Sequence, residues 1–222
     1  MIITLSRQLG SQGDLIAARV AAACGLRLID RAQIYGIALA AGLSDNLLQQ
    51  LMYERRRSLA AEFLDSLGAS SPHLGGSPLA SANPLGSIIV PMLRPASLSL
   101  EEGVRTLGLL IKDIAARGDV LILGQGSQVW LRGHQNACHV QIVAPAEVRV
   151  TRVAEQLNVP PAEAGRLVRD SDRARSGYLS RYHGVNWQDP LLYHLVINTG
   201  QVPIETAVSL VVNAGQALAG RA

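Results

Sequence analysis

"MIITLSRQLGSQGDLIAARVAAACG", residues 1–25, is the stretch on which the fold turns. Residues 2–6, "IITLS", are an apolar run suited to a strand buried on both faces of a parallel sheet. "QLGSQG" at 8–13 reads as a glycine turn, and Asp14 to Cys24 as an alanine-rich helix ended by Gly25. A strand, a glycine turn and a helix in that order present backbone N–H groups and a helix N-terminus to an anion. Where a phosphate-binding turn of this layout carries its lysine, the chain has Gly13 followed by Asp14.

No other lysine stands near. Nineteen of the twenty basic residues are arginine, and Lys112 is the only lysine. It falls in "LGLLIKDIAARG", a helical pattern remote from any glycine turn. An arginine-favouring codon usage accounts for most of that bias, but the consequence for the turn is the same.

The length of 222 residues suits one sizeable α/β domain with a small subdomain. A hydrophobic fraction of 48% supports a buried core and excludes a disordered tail protein. Arg19, Asp30 and other polar residues interrupt every apolar run before the roughly 18 residues that a membrane span needs. The N-terminus has no leader-like pattern, so no signal peptide is expected. Cys24 and Cys138 are isolated thiols that read as small buried residues in a reducing cytoplasm. With eight aromatics, no zinc-finger spacing and no recognition helix, nucleic acid is not an expected partner.

Working outward from the first turn, "LRLID" at 26–30 is a second strand. Residues 31–67 read as two or three helices interrupted near Gly42 to Asp45, where Ser44 or Asp45 is placed to cap the next one. Residues 68–97 are dense in Gly, Ser and Pro and read as a long flexible loop, compatible with a dimer arm and hence a homodimer. Ser99 and Glu102 open a helix with a capping-box pattern that runs to Arg117. "DVLILG" at 119–124, "ACHVQIVA" at 137–144 and "HLVINT" at 194–199 are further strands. Helices fill 146–157, 160–176 and 203–218. The alternation implies right-handed crossovers and a three-layer α/β fold, with a central parallel sheet of about five strands flanked by helices. Ligands then bind at the carboxyl ends of the strands.

Two further groups join the first turn there. Gly124, Gln125, Gly126 and Ser127 follow the strand "DVLILG" as a tight turn. "RLVRDSDRARSGYLSRY" at 166–182 carries arginines 166, 169, 173, 175 and 181. Such a run is either a solvated basic face or a lid whose guanidinium groups cover transferring phosphates.

"LSRQLGSQGDLIA", "LIDRAQIYGIALAAG", "LILGQGSQVWL", "HVQIVAPAEVRVTRVAE" and "DRARSGYLSRYHGVNWQDPLLYHLVINTG" together resemble the cytidylate-kinase-like family, in the right order over nearly the whole chain. The C-terminal stretch with Asp172, Arg175, Tyr178, Trp187 and Tyr193 is the most specific part. The resemblance implies a P-loop kinase-like fold that transfers the γ-phosphoryl group of ATP to CMP or a related monophosphate, with Mg²⁺. It implies a monophosphate-binding helical subdomain at 31–67 and an arginine-rich lid at 165–183. Arg7, Gly10, Ser11, Gln12, Gly13 and Asp14 would hold the nucleotide phosphates, with Asp14 also the candidate metal ligand. Arg173 and Arg175 would neutralise the transferring group, and Asp172 would orient them. Asp30, Arg31, Gln125 and His194 would line the acceptor side.

The departures fall on charge. Gln12 stands at a glycine position of the family's loop, and Asp14 where a basic residue is frequent. Gln125 replaces a common arginine, His194 an aspartate, and Gly36 an arginine. Arg55, Arg56 and Arg57 are candidates to compensate. Three readings follow: a cytidylate-like kinase, a catalytically impaired nucleotide-binding or regulatory relative, and a kinase for another small phosphate acceptor.

Overall fold

β1 (Ile2–Arg7) is the middle strand of a five-stranded sheet and is buried along almost its whole length. It pairs in parallel with β3 (Val120–Leu123) on one side and β4 (Ala137–Val143) on the other. β2 (Arg27–Ile29) and β5 (Leu195–Asn198) complete the order β2-β3-β1-β4-β5, every pair parallel. Such a sheet must be covered on both faces, which is why its strands are near-continuous apolar runs. The computed structural model describes residues 1–51 and 98–220. The expected helices beyond residue 51, the arginines at 55, 56 and 57 and the 68–97 loop lie outside the described residues.

The chain divides into two compact units, one of Met1–Gln33 with Gly108–Ala222 and one of Ile34–Leu107. In the first, α1 (Gly13–Cys24) and α8 (Ile204–Ala219) pack on each other beside the sheet. Ile3, Leu5, Ile16, Val20, Leu121, Val140, Ile142 and Val211 form their shared core. Each such side chain stabilises the fold by about 1.5–3 kcal/mol on full burial. Cys138 belongs to the same core, and burial pushes its thiol up to about 11. α6 (Ala146–Leu157) and α7 (Pro161–His183) pack against each other, and the single turn α5 (Ser127–Trp130) follows β3.

The second unit contains most of α2 (Arg31–Ala40), α3 (Asp45–Leu51) and the first half of α4 (Leu100–Ala116). Ser44 caps α3, its Oγ accepting from the Leu47 N–H at 3.3 Å. The expected capping box opens α4: Ser99 Oγ accepts from the Glu102 N–H at 3.2 Å, and Glu102 Oε2 from the Ser99 N–H at 2.7 Å. A side chain at Gly103 would collide with Leu51, 2.7 Å from its Cδ1.

Several elements differ from their expected bounds for local reasons. β3 is shorter than 119–124 because Asp119 and Gly124 both have positive φ, 44° and 80°, and depart from extended backbone, although each keeps one inter-strand hydrogen bond. β2 is trimmed to three residues between the helix stop at Gly25 and Leu26 and the cap made by Asp30. α7 runs on to His183 rather than ending near 176, since Gly177 costs a helix only about 1 kcal/mol. Gly184, at φ 64°, ends it. No described helix is long and apolar enough to cross a membrane.

Candidate functional site

The carboxyl ends of β1 and β3 release two glycine turns side by side. In the first, residues 8–12, every polar group near the sheet is used to fix the backbone. Gln8 Oε1 accepts from the Ala144 N–H at 3.0 Å, and the Ser11 hydroxyl donates to the Gln8 carbonyl at 2.7 Å. Ser11 is fully buried, and its carbonyl accepts from the Thr199 hydroxyl at 2.8 Å. Ser11 is thus a strut of the turn, with its hydroxyl turned inward. Gly10 has φ 78°, and a Cβ there would lie 2.7 Å from the Arg149 carbonyl. Gln12, at φ 63°, takes the left-handed conformation of a glycine and leads into α1. The first N–H groups of α1 have no partner within the helix and face the turn with its positive end.

Arg7, the last residue of β1, reaches over this helix start. A Cβ on Gly13 would lie 2.4 Å from Arg7 Cβ, and one on Gly124 only 2.8 Å from Arg7 Nη1. Gly13 therefore makes room for an arginine from the end of β1, beside Asp14, which stands where a lysine would be expected. The guanidinium meets Asp14: Nε and Nη2 donate to the same carboxylate oxygen, Oδ1, at 3.2 and 3.0 Å. The Asp14 side chain is 69% exposed and that of Arg7 18%. Partial desolvation pushes the Asp14 pKa up. The charge and hydrogen bonds of Arg7, with the charge of Arg175, outweigh it and hold the carboxyl below its ordinary value. Asp14 lies in the first turn of α1 and forms an ion pair there, while Gln12 occupies the cap position.

α6 and α7 supply the rest. Arg149, nearly fully buried, donates to both oxygens of Asp172 at 3.1 and 2.9 Å, to the Ala144 carbonyl at 3.0 Å and to the Leu9 carbonyl at 3.4 Å. Arg152 donates to the Gly10 carbonyl at 3.3 Å and to the Thr199 carbonyl at 2.8 Å. Arg175 donates to the Arg7 carbonyl. Asp172 therefore orients Arg149, with both of its oxygens accepting from that guanidinium. Arg173 is not brought to the turn: its side chain is 82% exposed, 3.7 Å from Asp170. Positions 172 and 175 share a helix face, and 173 lies about 100° round from 172.

Arg149 and Arg152 were missed by the sequence reading. The one available signal was their spacing of three on a helix that follows the strand next to β1.

The second turn holds three successive left-handed residues, Gly124, Gln125 and Gly126, at φ 80°, 56° and 68°. Gly124 abuts Arg7 and Gly126 abuts His183, whose Nε2 would lie 3.0 Å from an added Cβ. Ser127 Oγ and His183 Nε2 are buried and make no hydrogen bond, leaving capacity beside the turn that proteins rarely leave unmet. Burial lowers the His183 pKa.

Asp30 and Arg31 lie at the carboxyl end of β2, on the same edge of the sheet. Asp30 is engaged in a capping box: Oδ1 accepts from the Gln33 N–H at 3.0 Å, and Gln33 Oε1 from the Asp30 N–H at 2.9 Å. His194 is not part of the group, which corrects its expected place on the acceptor side. It precedes β5, at the opposite end of the strand from the turns, stacked on His139 with ring centres 4.9 Å apart. Its Nδ1 accepts from the His139 N–H at 3.0 Å.

Among the described residues no three His, Cys, Asp or Glu side chains are grouped to hold a metal by themselves. Mg²⁺ is ordinarily held by one or two carboxylates together with substrate phosphates. The exposed oxygens of Asp14, at the mouth of the turn, suit that mode.

A five-stranded parallel sheet flanked by helices, with a braced glycine turn and a helix start at its middle strand, defines a three-layer α/β protein. The chain belongs to the cytidylate kinase-like family, whose sequence model matches residues 2–201. A cytidylate kinase of Haloarcula marismortui is 27% identical over 110 residues, which are 50% of this chain and 57% of that one. A cytidylate kinase of Aeropyrum pernix is 29% identical over 114 residues, 51% of this chain and 63% of that one. The match thus spans less than two thirds of either relative. An uncharacterised protein from Eubacterium ventriosum shares the fold, with a TM-score of 0.66 and 16% identity over 97% of this chain and 98% of that one.

Proposed function

We propose that this chain transfers the γ-phosphoryl group of ATP to CMP or a similar monophosphate. The observation that carries the reading is the β1–α1 turn, braced by Ser11, Thr199, Arg149 and Arg152, with Arg7 laid over it. In this reading the backbone N–H groups of residues 10–14 take the β-phosphate of ATP. Arg7 and Arg175 offset the charge on the transferring group, and positioning with charge stabilisation is most of what phosphoryl transfer asks of a protein. An oxygen of the acceptor phosphate attacks the γ-phosphorus, the bond to the β,γ-bridging oxygen breaks, and that oxygen leaves on ADP. Arg31 and the turn at Gln125 serve the acceptor side, with Asp30 holding the start of α2. Arg149, Arg152 and Asp172 act as positioning residues. Mg²⁺, when bound, offsets phosphate charge, and Asp14 is the carboxylate suited to it. Residues 31–67 as the monophosphate subdomain, the 165–183 segment as the lid and a cytoplasmic location belong to the same proposal.

The test is steady-state turnover with CMP and Mg·ATP. Formation of ADP and CDP in equal amounts is expected. No turnover, together with no ATP binding at concentrations of about 1 mM, overturns the reading. A second reading, nucleotide binding without turnover, is favoured by one observation: Asp14 already holds Arg7. Binding without product would select it. Gln125 in place of a cation favours a third, a different phosphate acceptor, which turnover with an acceptor panel but not with CMP would select.

A further inference from the structure

We infer that Asp14 is a built-in stand-in for phosphate at Arg7, and that the two part when a metal-bound polyphosphate enters: Asp14 swings away to the metal and leaves Arg7, in place, to the phosphate. This rests on the nucleotide reading above. The first ground is the shape of the pair. Both donated bonds from Arg7 end on one oxygen of Asp14, so Oδ2 takes neither. A phosphate oxygen accepts from a guanidinium in the same way.

The second ground is which partner can move. Arg7 is confined by Gly13 and Gly124, each too close for even a methyl group, and its guanidinium is largely covered. Asp14 is largely exposed, in the first turn of α1. The carboxylate is the member that can swing away, and the one that an incoming ligand meets first.

The third ground is charge. While the pair is closed, Arg7 offers no net charge to an anion, and a metal-free polyphosphate must displace a carboxylate that repels it. A metal-bound polyphosphate brings a cation that takes the released carboxylate, so one ion pair is exchanged for two. Hard divalent cations favour oxygen ligands of this kind. The metal and the phosphate then promote each other's binding through Asp14, a coupling that must be reciprocal.

The experiment is calorimetric titration with ATP, in EDTA and in Mg²⁺, of the full chain, its Asp14→Asn variant and its Asp14→Ala variant. Thermal unfolding checks that each is folded, as expected for a change at an exposed side chain. Asp14→Asn and Asp14→Ala should bind metal-free ATP about tenfold or more tightly than the parent, and the gain from Mg²⁺ should shrink by about the same factor. If wild type binds Mg·ATP but the variants show the parent's metal-free affinity or the parent's gain from Mg²⁺, the exchange is refuted while nucleotide binding stands. If no form binds ATP with or without Mg²⁺, nucleotide binding itself is refuted and the exchange falls with it.

Discussion

Acid should weaken this fold through one buried histidine. His139 sits in β4, 5% exposed, with Nδ1 2.8 Å from the Thr4 hydroxyl and its ring stacked on His194. Burial, then the neighbouring His194, and more weakly His134, push its pKa down from 6.5 to about 4, against a hydrogen bond at Leu131 that raises it. The unfolded chain takes up this proton near 6.5 and the folded chain only near 4. The contribution is therefore whole above pH 6.5 and drains away as the pH falls towards 4. At about 1.4 kcal/mol per pH unit, the full gap of 2.5 units is worth about 3 kcal/mol, of which about 2 kcal/mol has gone by pH 5. That is a visible share of a stability on the order of 5–15 kcal/mol. The assay is urea unfolding of the parent and of His139→Asn at pH 7.5 and pH 5. Asparagine keeps a polar group near Thr4 and does not titrate. The parent should lose about 2 kcal/mol more than the variant between the two pH values, a midpoint difference of roughly 1 M urea. His183, whose pKa burial also lowers, contributes to both forms and cancels. Equal losses in parent and variant would refute the assignment of His139 as a neutral core residue.

Three other outcomes follow from contacts at the site. Arg149→Ala should lower unfolding stability by about 3 kcal/mol, because it strands Asp172 and two backbone carbonyls, while Asp172→Asn should cost less; urea titration compares them. Gly13→Ala should cost about 1–3 kcal/mol and weaken ATP binding, because its methyl group meets Arg7 at 2.4 Å; urea unfolding and calorimetry read the two effects. Arg175→Ala should lower turnover of CMP at least tenfold and Arg173→Ala should leave it nearly unchanged, since only Arg175 reaches Arg7. Steady-state kinetics on both variants decides it.

The path from residue 1 to residue 25 was legible because its signals are local: an apolar run, a glycine turn, an alanine-rich helix and Gly25 at φ 64°. So was α4, through Ser99 and Glu102. The roles of single side chains at the site were legible only in part. Asp30 looked like an acceptor-site carboxylate, yet Gln33 three residues on completes a capping box with it, a pattern that competes with any ligand. The choice between Arg173 and Arg175 needed the helix to be known as continuous, and then follows from its period. Arg149 could not be found from neighbours in sequence, since its partner at Leu9 is 140 residues away. His194 was misplaced because its partner is a backbone N–H of β4, 55 residues earlier.

Thr199 also has a consequence for how the molecule is made. Its hydroxyl closes the turn at Ser11 across 188 residues of chain, and its own N–H is tied to the Val143 carbonyl. The middle strand of the sheet is thus the first to be synthesised, and its turn is the last piece to be locked. At about 5–20 residues per second, a ribosome needs roughly 10–40 s to deliver that last contact. Through that interval "IITLS" has none of its eventual neighbours β3 and β4 until about half the chain has emerged. A nascent chain of this design depends on keeping one sticky strand apart from others like it, and a truncation just short of Thr199 would remove both the brace at Ser11 and α8, whose Val211 helps cover the sheet.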